Sequence, residues 1–132
     1  MQTINIVWLK RDLRLTDHAP LRHALSAQYP TILLYIFEPI LLNNAHYSER
    51  HWRFVWQSLQ CMNQSLKEHG HQMSILHGSA IDCFKAIQSR YHIQNVFSHQ
   101  EIGLNCTFER DIQLSAWLEE HNIHWQEFAQ GA

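Results

Sequence analysis

The sequence predicts an α/β domain in three layers, with a five-stranded parallel sheet covered by helices on both faces. Two observations lead to this fold class. Apolar runs of strand length alternate with amphipathic stretches of helical length, five against four, from one end of the chain to the other. The connecting stretches are also long enough for right-handed crossovers between parallel strands. At 132 residues, the chain is expected to form one domain, residues 1–132.

Each predicted strand has a recognisable pattern. The strands are predicted at residues 4–9, 31–37, 73–76, 95–98 and 123–128. The first is almost continuously apolar, as expected for a strand that helices cover on both faces. The second is rich in β-branched and aromatic residues and ends at Glu38 and Pro39. The fifth alternates apolar and polar residues, which is typical of an edge strand.

The first two long helices have clear start signals. Asp17 is expected to be the N-cap of the first, with Pro20 in its first turn. Its buried face is expected to comprise Leu21, Ala24 and Leu25. The longest helix is predicted to begin near Ser48 and to end at residues 69–70. Its apolar stripe is predicted to comprise Trp52, Val55, Trp56, Leu59 and Leu66.

The last two helices are predicted from capping and periodicity. Ser79 is placed as an N-cap, with Asp82 where a capping box requires an acidic residue. The final helix is predicted at residues 107–121. Its expected buried residues are Phe108, Ile112 and Leu118 or their neighbours, with Trp117 also in the core.

Composition excludes several classes of function. The net charge of −2 gives no basic surface of the kind that binds a DNA duplex. Three widely spaced cysteines indicate buried thiols in a reducing compartment, so we expect a cytoplasmic protein. The start of the chain lacks the pattern of a signal peptide, and no apolar run reaches the ~18 residues of a membrane span. We therefore expect no membrane association.

Catalytic and metal sites are not predicted either. The eleven histidines show no helical i, i+4 pair beside a carboxylate, so we expect surface residues and no metal site. No nucleophile elbow and no obvious pair of carboxylates for acid–base chemistry occurs. The chain also lacks a glycine-rich phosphate loop, which argues against an ordinary dinucleotide-binding domain.

A dense group of charges, residues 10–14, follows the first strand directly. The carboxyl edge of an open parallel sheet is where ligands usually bind. One interpretation is an anion site for a phosphate or a polyglutamate tail, with Lys10 or Arg11 facing a crevice. The other is structural, with Asp12 and Arg14 forming an ion pair that anchors the loop. The two interpretations are compatible.

Three segments of the chain resemble the DNA photolyase and cryptochrome family. Residues 5–21, with a hydrophobic strand followed by a basic residue, Asp-Leu-Arg and an Asp-x-x-Pro-Leu helix start, resemble the opening of that family. Residues 47–56 resemble the start of its second helix. Residues 99–111 are similar to a His-x-Glu-x-Gly-x-x-x-Thr-x-x-Arg-Asp pattern of one bacterial branch, although Cys106 stands where an aromatic residue is usual.

The resemblance implies a strand order of 3-2-1-4-5 and a crevice between the first and fourth strands. Residues 10–14 would line one side of this crevice, and residues 99–101 the other, where they either cap the next helix or bind a heterocycle. In the family this domain can hold a light-harvesting antenna of the folate, deazaflavin or FMN type. The implied antenna contacts are Lys10, Arg11, Phe37, Glu38, Arg50, His99 and Glu101.

The function that the resemblance implies is that of the N-terminal antenna domain of a deoxyribodipyrimidine photolyase, a carbon–carbon lyase that splits pyrimidine dimers in DNA. The helical FAD domain, which carries catalysis and contacts damaged DNA, is expected to be absent from this chain. The chain alone is then a non-catalytic monomer. Two alternatives remain open: the same domain of a cryptochrome-type blue-light receptor, and a stand-alone nucleotide-binding α/β module.

Overall fold

The structure, a computed structural model, describes residues 1–11, 13–15, 18–26, 29–45, 47–68, 73–101 and 105–129. Its strands are β1 (Thr3–Leu9), β2 (Thr31–Phe37), β3 (Met73–His77), β4 (His92–His99) and β5 (His124–Phe128). All four neighbouring pairs are parallel, and the order across the sheet is β3-β2-β1-β4-β5. The predicted fold class and strand order are confirmed.

The described residues form five helices, α1 (Ala19–Leu25), α2 (Pro39–Leu42), α3 (Glu49–Glu68), α4 (Ala80–Gln88) and α5 (Asn105–Glu120). The four-residue helix α2 was not predicted. Pro39 occupies its first turn, where a missing backbone N–H costs nothing because that group has no partner within the helix. The helix therefore starts directly after Glu38 and turns the chain away from the end of β2.

Side chains of β1 divide the core into two layers. Ile4, Ile6 and Trp8 face α4 and α5, and the Trp8 ring makes an edge contact with Phe84 at 5.4 Å between centroids. Val7, Leu9 and their neighbours face α1 and α3 instead. This alternation follows from the two-residue period of a strand, and both faces are apolar because both are covered. The predicted three layers are therefore present.

Two helix caps show how local sequence fixes the boundaries. Ser79 Oγ accepts a hydrogen bond from the backbone N–H of Asp82, as predicted for the start of α4. The cap of α1 is His18, whose Nδ1 accepts from the N–H of Leu21 at 3.1 Å. Asp17, the predicted cap, lies outside the described residues, as do residues 69–70 at the predicted end of α3.

Several predictions of burial are wrong, and α5 shows why. Phe108 and Ile112 are 67% and 56% exposed, whereas Leu114 and Leu118 are buried. Near the start of α5, the buried face is formed by the polar residues Thr107 and Arg110. The spacing of apolar residues alone therefore indicates the wrong face of the helix. Leu25 and Trp56, two other predicted core residues, are exposed as well. Trp52 and Trp117 do pack on the core.

Two histidines are buried, although the histidines were expected to lie mostly at the surface. His18 and His99 are almost fully enclosed, and their rings make an edge contact at 4.7 Å between centroids. His18 lies at the start of α1, and His99 ends β4, so the contact joins this helix to the sheet. Within the described residues, no helix is both long and apolar enough to cross a bilayer.

Candidate functional site

A cluster of charged side chains lies at the carboxyl edge of the sheet. Lys10 follows β1, Glu38 follows β2, and Glu101 comes two residues after β4. Arg110 and Asp111 reach the same point from the second turn of α5. Parallel strands bring their carboxyl ends together, which explains how residues distant in sequence meet here. These five residues are referred to below as the charge cluster.

Arg110 is the centre of the charge cluster. Its Nη1 donates to Glu38 Oε1 at 2.5 Å, its Nε donates to Asp111 Oδ1 at 2.9 Å, and its Nη2 donates to Glu101 Oε1. The guanidinium carbon also lies 4.9 Å from the ring centroid of Trp8. Arginine suits this position because its planar group has five donors in a fixed geometry and stays charged when buried.

Lys10 adds a second buried cation. Its Nζ lies 3.8 Å from Glu101 Oε1 and 3.9 Å from Asp111 Oδ2, and 4.4 Å from the ring centroid of Trp8. Burial lowers the pKa of Lys10, although the charge of Asp111 opposes that shift. Arg11 is half-exposed and reaches the cluster from outside, with Nε 3.7 Å from Glu101 Oε2.

The carboxylates of Glu38, Glu101 and Asp111 share one buried guanidinium, that of Arg110. Burial raises the pKa of Glu38 to about 7, although Arg110 stabilises the charged form, and the charge of Glu101 raises it further. Burial by itself lowers the pKa of Arg110, but Glu38 and Glu101 together hold it above its usual value. Glu38 therefore titrates close to neutral pH, and Arg110 stays charged.

A cavity of about 200 Å³ adjoins the charge cluster. It lies between the ends of β1 and β2 on one side and the first turns of α3 on the other. Four of the five cluster residues and Arg11 form its polar lining. The rest of its wall is aromatic and aliphatic, and the aromatic side chains are Trp8, Tyr35, Tyr47, His51, Trp52 and Phe54.

This cavity is suited to a flat and largely apolar group with a polar edge. Aromatic walls exclude water and offer stacking faces, and a few charged groups at one end fix the orientation of a ligand. The ring of His51 stacks on Tyr47 at 4.6 Å between centroids, so this part of the wall is itself supported. Among the described residues, no group of three or more His, Cys, Asp or Glu side chains is arranged to hold a metal ion.

The structure brings together four of the seven predicted antenna contacts. Lys10, Arg11, Glu38 and Glu101 all line the cavity. The other three lie elsewhere. Phe37 packs behind Trp52, with 6.1 Å between ring centroids, Arg50 is exposed on α3, and His99 is buried against His18.

The cavity takes polar lining from both predicted sides of the crevice, Lys10 and Arg11 on one side and Glu101 on the other, and it extends towards the end of β2 and the first turns of α3. On the β4 side, the packed rings of His18 and His99 fill the space close to the end of the strand. The alternative ion pair between Asp12 and Arg14 involves Asp12, which lies outside the described residues. Buried cations instead pair with carboxylates from β2, β4 and α5.

Sequence reasoning missed Arg110 and the contribution of Trp52 to the cavity. Arg110 belongs to the motif at residues 99–111, but no role was predicted for it. The available signal was the spacing of Thr107, Arg110 and Leu114, which lie on one face of α5. Trp52 was predicted only as a core residue, and it forms part of both the core and the cavity wall.

Comparison with known proteins shows similarity to cryptochromes and photolyases. Cryptochrome DASH of Gloeobacter violaceus is 29% identical over 114 residues, which is 82% of this chain and 23% of that protein. The Synechocystis sp. PCC6803 cryptochrome structure has a TM-score of 0.87 at 22% identity, over 96% of this chain and 27% of that one. An archaeal photolyase from Sulfolobus tokodaii, solved with two FAD molecules, has a TM-score of 0.85 at 24% identity, over 96% and 29%.

The chain thus spans about a quarter of the length of these proteins. The two structural matches, at these identities, establish a shared fold. Membership of a family rests on the sequence itself, since the family model described as DNA photolyase matches residues 5–131. The chain belongs to the DNA photolyase family.

Proposed function

We propose that this chain is the antenna-chromophore domain of a deoxyribodipyrimidine photolyase. The observation that carries the proposal is the cavity beside the charge cluster, because it combines aromatic walls with a polar end at the ligand-binding edge of the fold. Family membership and the two FAD molecules of the Sulfolobus tokodaii photolyase support a chromophore as the ligand. We expect an antenna of the folate, deazaflavin or FMN type.

The residues of this chain would bind and orient the chromophore. When bound, the antenna supplies absorption of near-ultraviolet or blue light. The aromatic wall, including Trp52 and Tyr47, would exclude water and hold a ring by stacking. The charge cluster would bind the polar end of the ring, because Arg110 holds the carboxylates of Glu38 and Asp111 in place.

The whole protein would use the captured energy in a further domain that holds FAD. There, an electron from the excited flavin would split a pyrimidine dimer that has left the base stack, and the electron would return. The seven predicted contacts remain candidates for the antenna site, with Lys10, Arg11, Glu38 and Glu101 best placed. In this proposal no residue of the described domain is catalytic.

A cryptochrome-type light receptor is the second candidate, because relatives named as cryptochromes occur in both the sequence and the structure comparisons. A receptor would use the same domain without repairing DNA. Light-dependent repair of dimer-containing DNA by the full-length protein separates the two. Repair supports the photolyase, while a flavin-bearing protein that repairs neither duplex nor single-stranded substrate supports the receptor.

Chromophore binding itself is tested by filling the cavity. Leu41 on α2 lines the cavity and its neighbour Leu42 does not, although both are partly buried. A Leu41→Trp variant of the full-length protein should lose the antenna absorption band and keep its FAD. Leu42→Trp should keep both. An unchanged antenna content in a folded Leu41→Trp protein would place the antenna outside this cavity.

A further inference from the structure

Among the described residues, Glu38 and Trp52 each bring a buried polar atom without a hydrogen bond to the cavity. Among the residues that the structure describes, Glu38 Oε2 accepts no hydrogen bond, and Trp52 Nε1 donates none. Buried polar atoms in folded proteins are nearly always paired, because an unpaired group loses its hydration without compensation. Each such atom therefore requires an explanation, and both belong to side chains that line the same cavity.

The two atoms have opposite hydrogen-bonding character. A carboxylate oxygen accepts hydrogen bonds, and an indole N–H donates one and cannot accept. Glu38 lies at the end of β2 and Trp52 in the first turn of α3, so they approach the cavity from different elements. A ligand that satisfied both atoms would present a donor to Glu38 and an acceptor to Trp52.

Arg110 already occupies one of the two carboxylate oxygens of Glu38. Its Nη1 holds Glu38 Oε1 at 2.5 Å, which leaves Oε2 for a different donor. Glu38 and Arg110 also border a second cavity of about 220 Å³, lined further by Ser79 and Glu109. Trp52 does not line that second cavity, so of these two cavities the first is the one lined by both Glu38 and Trp52.

The size of the first cavity limits what part of a ligand it can enclose. Pockets that bury a whole drug-sized ligand usually measure roughly 300–1,000 Å³. At about 200 Å³, this cavity has room for one fused ring system, and a longer substituent would remain outside. The aromatic side chains around it favour a flat ring.

We propose that Glu38 Oε2 and Trp52 Nε1 select a planar heteroaromatic ring whose edge carries an N–H donor next to a carbonyl acceptor. Flavins and pterins share this lactam edge, with a ring N–H beside a carbonyl group. The inference rests on the proposed antenna function and specifies how the chromophore is recognised: by the edge of its ring, which enters the cavity first. Arg110 is then a positioning residue.

The test compares two probes that differ in one group. Lumiflavin has a free N3–H, and 3-methyllumiflavin carries a methyl group on that nitrogen. Fluorescence titration of the 132-residue chain at about pH 8, where the Glu38 carboxylate is mostly ionised, gives the affinity for each. Methylation should weaken binding on the order of tenfold or more, because a hydrogen bond to a charged group is lost. A parallel titration with 6,7-dimethylpterin shows whether a pterin or a flavin ring fits better.

Protein variants give a second comparison. Trp52→Phe and Glu38→Gln should each weaken lumiflavin binding, and Glu38→Gln should matter much less for 3-methyllumiflavin, because the contact it removes is already missing. Trp56→Phe is a matched control, one turn along α3 and outside the cavity. Glu109→Gln is the control for the second cavity. Both controls should bind lumiflavin as the unmodified chain does.

The outcomes separate this inference from the proposed function. Equal affinity for lumiflavin and its methylated form would overturn recognition by the ring edge and leave the antenna site standing. Loss of binding in Glu109→Gln but not in Trp52→Phe would also overturn it, because the ligand would then occupy the second cavity. Failure to bind lumiflavin or 6,7-dimethylpterin at all would overturn both the ring-edge recognition and the antenna site in this cavity.

Discussion

Replacing Arg110 with methionine removes the guanidinium that contacts all three carboxylates of the charge cluster, while keeping an unbranched side chain in place. In the Arg110→Met variant, Glu38 and Glu101 would be buried without the guanidinium that pairs with both. Lys10 would remain 3.8 Å from Glu101. The variant should therefore be much less stable than the unmodified chain, because a buried charge would lose its partner.

The magnitude follows from the contacts of Arg110. Its bonds to Glu38 and Glu101 are both buried, and a hydrogen bond to a charged group contributes about 1.5–3 kcal/mol. Two such bonds give about 3–6 kcal/mol, which agrees with the ~3–5 kcal/mol that breaking a buried ion pair costs. The bond to Asp111 adds less, since that carboxylate is partly solvated. A loss of this size is a large part of the ~5–15 kcal/mol that stabilises a typical domain.

Urea denaturation followed by far-ultraviolet circular dichroism measures the loss. Arg53→Met is the matched control, because Arg53 bonds to Glu49 at 2.8 Å but the two side chains are 74% and 81% exposed. That variant should lose less than about 0.5 kcal/mol. If Arg110→Met were destabilised as little as Arg53→Met, with an unchanged slope of the denaturation curve, the role of Arg110 in holding the charge cluster together would be refuted.

Two further predictions concern Glu38 and Asn122. Because burial raises the pKa of Glu38 from 4.5 to about 7, the native state keeps its proton to higher pH than the unfolded state. The free energy of unfolding should fall by about 3 kcal/mol as pH rises from 4.5 through 7, relative to a Glu38→Gln variant. A pH-independent difference between the two urea curves would contradict this. Asn122 has a φ of 59°, in the left-handed region that glycine adopts easily. Asn122→Ala should therefore lower the free energy of unfolding in urea by about 1 kcal/mol, whereas Asn122→Gly should not lower it. Equal losses in the two variants would exclude backbone strain as the cause.

Strands were the easiest part of this fold to predict. The run at residues 4–9 is apolar at nearly every position because both faces of β1 are covered, and this pattern differs clearly from that of a helix. The helix α5 was located correctly, but its buried face was not. Phe108 and Ile112 are apolar and exposed, whereas Arg110 is charged and buried, and no rule based on hydrophobicity gives that result.

The candidate site was only partly predictable for a related reason. Lys10 and Arg11 could be placed at the sheet edge because they follow β1 directly. Glu101 was expected across the crevice from them, but Asp111 was not, because it meets Lys10 only through the packing of α5. Trp52 carries an ordinary helical core pattern, and only the fold shows that its ring also borders a cavity.

The position of β1 at the centre of the sheet has a consequence for the order of events during synthesis. β1 leaves the ribosome before the other four strands of the sheet, yet one of its two neighbours, β4, begins only at His92, which pairs with Thr3. Until then one edge of this apolar strand has no native partner, even after β2 has paired with it. Such distant pairing slows folding and leaves an aggregation-prone edge exposed. We therefore expect chains that end before β4 to require a chaperone to stay unaggregated.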